Sequence, residues 1–254
     1  MTIEMNITDY LSQGGVLTSP DNVPPRYRAE LLRMMASFVD SELAGAAGFA
    51  DIINLGPGLK ERIAAARIVM EKFDHADRVL GLMGEFGADV DRYANDKAWT
   101  DRLERDAPVG AERVKNDMRL AVFNYPLDGW ADAVVMNLLM GCAVRVQLSE
   151  YESMSYQPLA QTIRDIAPRE ADHMRLASEG VEKLISSGTD KAELEASVAY
   201  WWPRVLSSFG SETSNRFDTL SAMGLRSLNN TALRERFVAS ASEALKACGL
   251  SAPA

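Results

Sequence analysis

Residues 167–175 read Ala-Pro-Arg-Glu-Ala-Asp-His-Met-Arg, and this stretch decides how the rest of the chain is interpreted. Glu170 and His173 are three residues apart in a segment whose apolar residues recur at intervals of three and four, which predicts a helix. Three residues make almost one helical turn, so the two side chains leave the same face. A carboxylate and an imidazole placed in this way can bind one metal ion. The stretch therefore predicts half of a metal site on the inward face of a helix.

The chain contains one other histidine, His75, which also follows a carboxylate at helical spacing. Glu71 precedes His75 by four residues, which puts the two side chains about 40° apart around the helix axis. Lys72, three residues before His75, lies on the same inward stripe as the histidine. Both histidines thus lie in similar settings, but a lysine stands where a second Glu-x-x-His motif would have its glutamate.

Apolar periodicity of three and four residues predicts an all-α protein, and no segment shows a convincing two-residue alternation of a strand. The predicted long helices cover residues 26–48, 59–84, 129–153 and 158–186, and C-terminal helices cover 192–209 and 232–247. Four such helices can form one bundle with the C-terminal helices packed outside it. Pro168 lies inside the fourth helix, so a kink or break is expected just before Glu170.

The domain organisation follows from the same pattern. Residues 1–24 contain two glycines and two prolines and no helical periodicity, so we expect an irregular N-terminal arm there. Residues 25–254 show no composition shift or linker, and we expect them to be a single helical domain with the long helices at its centre.

Composition limits the classes of function. The chain has 254 residues, of which 47% are hydrophobic and 25% charged, enough to bury a full core. A net charge of −9 argues against nucleic acid or an anionic membrane as the main partner. The N-terminus lacks the regions of a signal peptide, and no apolar run approaches the length that spans a bilayer. Cys142 and Cys248 form no disulfide framework. We therefore expect a cytoplasmic protein that binds neither nucleic acid nor membrane.

A carboxylate-bridged di-metal site in a four-helix bundle needs four carboxylates and two histidines. Glu42 lies on the apolar face of the first helix, His75 on the second, and Glu170 and His173 on the fourth. The third helix has no carboxylate near its middle. Lys72 would place an ammonium where a metal ion should lie, and it could neutralise Glu42 and Glu170 directly.

Several motifs occur together in the order and at nearly the spacing of a known family. They are Tyr27-Arg28, Ser41-Glu42, Phe123-Asn124-Tyr125-Pro126, Trp130-Ala131-Asp132, Ser155-Tyr156-Gln157-Pro158, Glu170-Ala171-Asp172-His173, Trp201-Trp202-Pro203 and Phe209-Gly210. On these motifs, residues 24–210 resemble the catalytic subunit of the bacterial phenylacetyl-CoA epoxidases, also called phenylacetate-CoA oxygenases. These are ferritin-like di-iron proteins of phenylacetate breakdown.

The resemblance implies a ferritin-like fold and assigns Glu42, His75, Glu170 and His173 to ligand positions. The chain departs from the family at two positions. Lys72 replaces the glutamate of the first motif, and Gly141 stands where the third helix contributes a carboxylate. The family also includes a second ferritin-like subunit that lacks a working metal site and supports the catalytic one.

The leading hypothesis is therefore a metal-poor structural subunit of a phenylacetyl-CoA-epoxidase-like multicomponent oxygenase. This hypothesis expects no cofactor in the chain itself. Its partners would be a homologous ferritin-like subunit that keeps all ligands and a reductase component. Catalytic and substrate-binding residues are not assigned.

Two alternatives remain open. In the first, Glu71 replaces the missing glutamate, and the chain is an active oxygenase or oxidase that binds iron or manganese. In the second, the chain binds a CoA thioester without redox chemistry, and basic side chains meet the phosphates of the acyl-CoA. The candidate residues for that role are Arg145, Arg164, Arg169 and Arg175.

Overall fold

The protein is described here by a computed structural model that covers residues 7–95, 98–110, 117–212 and 214–253. In these ranges the secondary structure is helical, with one isolated bridge between Leu17 and Tyr156 and no named strand. The α-helices are α1 (Ile7–Ser12), α2 (Pro25–Ile52), α3 (Leu59–Glu85), α4 (Val90–Asn95), α5 (Gly129–Tyr151), α6 (Gln157–Ser186), α7 (Lys191–Ser207), α8 (Phe217–Ala222) and α9 (Asn230–Ala247).

The four long helices form one bundle. The most extensive contacts join α2 to α3 and α5 to α6, while contacts of α3 with α6 and of α2 with α5 close the ring. Helices α7 and α9 pack on α5 from outside the bundle. The prediction of an all-α, ferritin-like four-helix bundle with additional C-terminal helices is confirmed.

The boundaries of the helices have local causes. Pro25 is the first residue of α2, where its missing N–H costs no hydrogen bond. The Asp190 side chain accepts a hydrogen bond from the Ala192 N–H at 3.0 Å and caps the start of α7. Gly188, just beyond α6, has a φ of +92°, a conformation that glycine adopts without strain.

Helix α5 is the core element. Its side chains are buried towards α2 and α6 on one side and towards α7 and α9 on the other. Among the described residues, one helix, α5, is long enough and apolar enough to cross a membrane, judged by length and composition alone. This finding corrects the expectation that the chain has no apolar run of that length. Because 72% of that apolar window is buried inside the protein, α5 has the character of a core helix.

Two local expectations need adjustment. Helix α6 runs through Pro168 from Gln157 to Ser186, so the expected break before the site is absent. The arm predicted to be irregular contains α1 and a short 3-10 helix at Pro20–Asn22, although residues 1–6 lie outside the described ranges. The arm is joined to the start of α6, since Leu17 N–H donates to the Ser155 carbonyl at 2.8 Å.

Candidate functional site

Three helices of the bundle bring the predicted site residues together. Glu42 comes from α2, Lys72 and His75 from α3, and Glu170 and His173 from α6. All five are buried, with the most exposed, Lys72, at 7%. Buried acids and amines are rare unless they are paired, so the partners of each group decide what the cluster can do.

Lys72 lies between the two central carboxylates. Its Nζ is 3.1 Å from Glu42 Oε1 and 3.3 Å from Glu170 Oε1, and it donates to both. His75 Nδ1 contacts the same pair, at 3.3 Å from Glu42 Oε2 and 3.1 Å from Glu170 Oε1. An ammonium and an imidazole thus share two carboxylates that come from different helices. We call these four residues the ionic cluster.

Each charged group of the ionic cluster shifts the pKa of its neighbours in the direction that favours their charged forms. Burial alone would lower the pKa of Lys72, but the carboxylates of Glu170 and Glu42 outweigh it and raise the pKa above its ordinary value. Burial alone would raise the pKa of Glu170, but Lys72 and the two histidines hold it well below its usual range. Hydrogen bonds to both carboxylates likewise raise the pKa of His75 against the effect of burial. Lys72 is therefore protonated and Glu170 ionised at neutral pH.

Glu71 forms a second ionic group beside the first. Its Oε2 is 2.6 Å from His173 Nε2, and its Oε1 accepts a hydrogen bond from Arg67 Nε at 2.9 Å. Burial would raise the pKa of Glu71, but the bonds to Arg67 and His173 outweigh it and lower the pKa. His173 Nδ1 lies 3.3 Å from Glu170 Oε1, although its alignment does not make a hydrogen bond. His173 thus links the two groups.

Arg67 was not among the residues predicted for the site. Its position four residues before Glu71 on one helix was a signal for an ion pair. Glu71 itself, predicted at the edge of the inward stripe, is turned towards His173 and is only 9% exposed.

The residues present do not fit a di-metal centre. Ligand atoms of Glu42, His75 and Glu170 lie within 4.8 Å of one another, close enough to surround one ion. However, Lys72 Nζ contacts both of these carboxylates, and a protonated amine repels a metal ion and cannot be a ligand. Two metal ions would also need carboxylates that neither α3 at position 72 nor the middle of α5 supplies.

Gly141 lies on the wall of a small cavity that Lys72, Glu170 and His173 also line. A Cβ atom at position 141 would lie 2.7 Å from Met174 Cβ and 3.1 Å from Met174 Cα. The missing side chain therefore lets α5 and α6 approach closely. A carboxylate at this position would require the two helices to move apart.

The comparison with known proteins gives the family. The family model described as "Phenylacetic acid catabolic protein" matches residues 5–254. The chain belongs to the phenylacetic acid catabolic protein family. It is also similar to one of the subunits of the 1,2-phenylacetyl-CoA epoxidase of Escherichia coli (strain K12), with 24% identity over 257 residues that cover 100% of this chain and 78% of the relative.

The Trp-Ala-Asp motif of this family member has a structural role. The buried carboxylate of Asp132 accepts hydrogen bonds from Arg105 at 2.9 and 3.0 Å, from Ser197 at 2.9 Å and from the Trp201 indole at 2.9 Å. These bonds tie α5 to α7 and to the segment before α5. The acid near the other end of α5, Glu150, accepts from the backbone N–H groups of Ser227 and Leu228. Both acids therefore support the fold outside the ionic cluster.

The four arginines considered for an acyl-CoA already have intramolecular contacts in this chain. Arg169 donates to Asp74 at 2.5 Å and Arg175 to Glu179 at 2.6 Å. Arg164 donates to the Glu152 carbonyl at 2.6 Å, and Arg145 lies 3.8 Å from the Met174 sulfur. These contacts do not form a common phosphate-binding pocket.

Proposed function

We propose that this chain is a structural, metal-poor subunit of a phenylacetyl-CoA-epoxidase-like multicomponent oxygenase of the cytoplasm. The observation that carries the proposal is the position of Lys72, whose ammonium donates to Glu42 and Glu170 at 3.1 and 3.3 Å. Family membership and the similarity to an epoxidase subunit support the oxygenase assignment.

In this proposal the ionic cluster replaces a metal centre. Lys72 supplies one positive charge between two buried carboxylates, His75 contacts the same two carboxylates, and this pairing is geometrically complete without an ion. A homologous ferritin-like chain with all ligands would carry out the oxygen chemistry, and a reductase component would supply electrons to that chain. The present subunit would bind its homologue and hold it in a folded, soluble assembly.

Metal analysis of the purified chain tests the first half of the proposal. We expect iron and manganese to remain far below one ion per chain, even after incubation with either metal. Lys72→Glu removes the ammonium and restores the Glu-x-x-His motif, so it should increase metal retention. Lys72→Gln is the matched control, because it removes the charge without adding a ligand. Near-stoichiometric metal in the unmodified chain would contradict the proposal.

Co-purification tests the second half. The tagged chain should retain a co-expressed homologue that has an intact di-metal motif, and the homologue's oxygenase activity should depend on the complex. Equal activity of the homologue with and without this chain would show that the structural role is wrong.

A second candidate is an active iron or manganese oxygenase or oxidase in which Glu71 serves as a ligand. It is favoured by the inward orientation of Glu71 towards His173, and by His75 Nε2 and His173 Nδ1, two buried nitrogens without a hydrogen-bond partner among the described residues. Arg67 and Lys72 weigh against it, since both cations lie next to the ligands that it needs. In this case the unmodified chain would bind metal, and Glu71→Gln would abolish that binding.

A further inference from the structure

A segment of chain between α4 and α5 spans the bundle from α2 to α5 beside the ionic cluster. We call the described residues from 98 to 125 the strap. The N–H of Leu120 in the strap donates to Ser41 Oγ of α2 at 2.9 Å. Arg105 of the strap makes a bidentate pair with Asp132 of α5, at 2.9 and 3.0 Å. The strap is therefore fixed to both helices.

The small cavity next to the ionic cluster lies beneath the strap. Its volume is about 40 Å³, which is more than one water molecule needs. Lys72, Glu170 and His173 line its polar end. Arg102 and Phe123 line the side that the strap covers. The strap thus separates the polar end of this cavity from the solvent on that side of the bundle.

Arg102 is the part of the strap that reaches from the surface into the cavity, since it is partly exposed and also lines the cavity. Its Nη2 donates to the Ala44 carbonyl of α2 at 2.8 Å. Its Nη1 donates to the carbonyls of Trp99 and Asp101 at 2.6 and 2.8 Å. These bonds go to single carbonyl oxygens, which hold a guanidinium less rigidly than the bidentate carboxylate pair of Arg105 does.

Gly48 of α2 supplies the space into which the Arg102 guanidinium fits. A Cβ atom at position 48 would lie 2.7 Å from Arg102 Nη2, which is closer than non-bonded atoms can approach. The atom in the way is the far end of a flexible side chain and not a backbone atom. A methyl group at position 48 would therefore displace the guanidinium and leave the helix intact.

The backbone on each side of Arg102 is held separately from its side chain. Arg119 donates to the Asp101 carbonyl at 3.1 Å, and the Leu103 N–H donates to the Asn124 carbonyl at 2.7 Å. Rotation of a partly exposed side chain is a fast motion that needs no rearrangement of the backbone. The Arg102 side chain can therefore swing outward while the strap stays in place.

We propose that Arg102 is a side-chain gate for the cavity beside the ionic cluster. The gate is closed when the guanidinium lies on the Ala44 carbonyl and against Gly48. Outward rotation of the side chain opens a path by which water and other small molecules reach the polar end of the cavity. The inference concerns access alone, so it does not depend on the proposed structural role of the chain.

Thiol labelling of the full chain tests the gate. Met136 is buried and lines the cavity, so Met136→Cys places a thiol behind the gate. Methyl methanethiosulfonate, which converts a thiol into a mixed disulfide and releases methanesulfinate, should label this position slowly. Addition of Arg102→Ala should raise the rate by about tenfold or more, because the hydrogen bonds that hold the gate closed are lost. Tandem mass spectrometry locates the label.

Gly48→Ala opens the same gate from the opposite side and leaves Arg102 in the chain. Combined with Met136→Cys, it should also speed labelling, because its methyl group takes the place of the guanidinium. Alanine favours a helix over glycine, so the helical circular dichroism spectrum should be kept. Gly81→Ala on α3 is the matched control, since its methyl group meets nothing within 4 Å and should not change the labelling rate.

Reference thiols separate a local gate from a general loosening of the fold. Cys142 and Cys248 are buried and do not line the cavity, so their labelling reports opening of the core as a whole. Equal acceleration of these two thiols by Arg102→Ala would overturn the gate. Val109→Cys, at a position of the strap that is 43% exposed, gives the rate of an open thiol. The proposal would also fail if Met136→Cys reacted at that rate with Arg102 in place, or if Arg102→Ala left its rate unchanged.

Discussion

Lys72 is the residue that most changes the chemistry of the bundle interior. Its side chain connects α3 with carboxylates of α2 and α6, which lie 30 and 98 residues away along the chain. A buried ion pair of this kind adds little stability compared with an apolar core, but removal of one partner leaves an uncompensated charge. The ammonium is thus required because Glu42 and Glu170 are present.

Replacement of Lys72 should therefore be costly. We expect Lys72→Met to reduce the free energy of unfolding by about 3–5 kcal/mol, because two buried carboxylates lose their counter-charge. Addition of Glu42→Gln and Glu170→Gln should recover much of the loss, since the repulsion disappears with the charges. Urea unfolding at neutral pH measures these differences.

The matched control for this prediction is Lys60→Met on the same helix. Lys60 is exposed, so its replacement should change the free energy of unfolding by less than about 0.5 kcal/mol. A loss for Lys72→Met as small as that of the control would contradict the view that the ionic cluster is tightly coupled.

At this scale, the sequence predicted which side chains lie inside but could not predict all of their pairings. The inward stripe and the Glu-x-x-His spacing brought out Lys72, His75 and Glu170, because helical periodicity fixes the face on which a side chain lies. The orientation of Glu71 was not predictable, because it depends on how α3 and α6 are rotated against each other. Arg67 could have been found from its position four residues before Glu71 on the same helix.

Among the elements, α5 and α6 approach each other closely at position 141. Gly141 leaves room for Met174 of α6 to pack directly on the backbone of α5. Interiors are packed at close to crystal density, so an added methyl group must displace its neighbours. The glycine that stands in place of the carboxylate at position 141 therefore also lets α5 and α6 pack more closely.

Two glycine-to-alanine substitutions should change the free energy of unfolding in opposite directions. Gly141→Ala places Cβ 2.7 Å from Met174 Cβ, so it should lower the free energy of unfolding by about 1–3 kcal/mol. Gly81→Ala, on the exposed side of α3, meets nothing within 4 Å and should raise it by about 0.5–1 kcal/mol through helix propensity. Parallel urea titrations compare the two. A stabilising Gly141→Ala would show that α5 and α6 are not in close contact there.

The helices themselves were largely predictable from the sequence. The helix predicted at residues 59–84 is observed at Leu59–Glu85, and the one predicted at 158–186 is observed at Gln157–Ser186. Long amphipathic segments with clear end signals give such agreement. The continuity of α6 through Pro168 was not predictable, because the surrounding bundle holds the helix together where a proline removes one hydrogen bond.

For the whole molecule, we expect the ionisation of tyrosines with raised pKa values to reduce stability at high pH. Burial, with a smaller effect of Glu85, raises the pKa of Tyr156 to about 12, and its hydroxyl has no hydrogen-bond partner among the described residues. Burial also raises the pKa of Tyr27 and Tyr93. A pKa raised in the folded state means that the contribution to stability is complete below the ordinary value of 10.0 and is lost as the pH rises from there towards 12.

Alkaline titration checks this expectation. The absorbance at 295 nm should show that these tyrosines ionise late and together with the loss of helical structure. Tyr156→Phe should keep the fold at pH 8 and should lower the dependence of unfolding free energy on pH between 10 and 12 by up to about 1.4 kcal/mol per pH unit, the value for one proton. An unchanged dependence would mean that Tyr156 is accessible to solvent.

The position of Lys72 also has a consequence for how the protein is made in the cell. In a bundle whose inner carboxylates await metal ions, maturation depends on cofactor delivery after translation. Here the counter-charge is part of the polypeptide and arrives with it, so the proposed subunit can reach its final form as soon as the chain is synthesised. On the proposed function, iron starvation would leave this chain ready for assembly, and the supply of a metal-dependent homologue would limit the number of complete complexes.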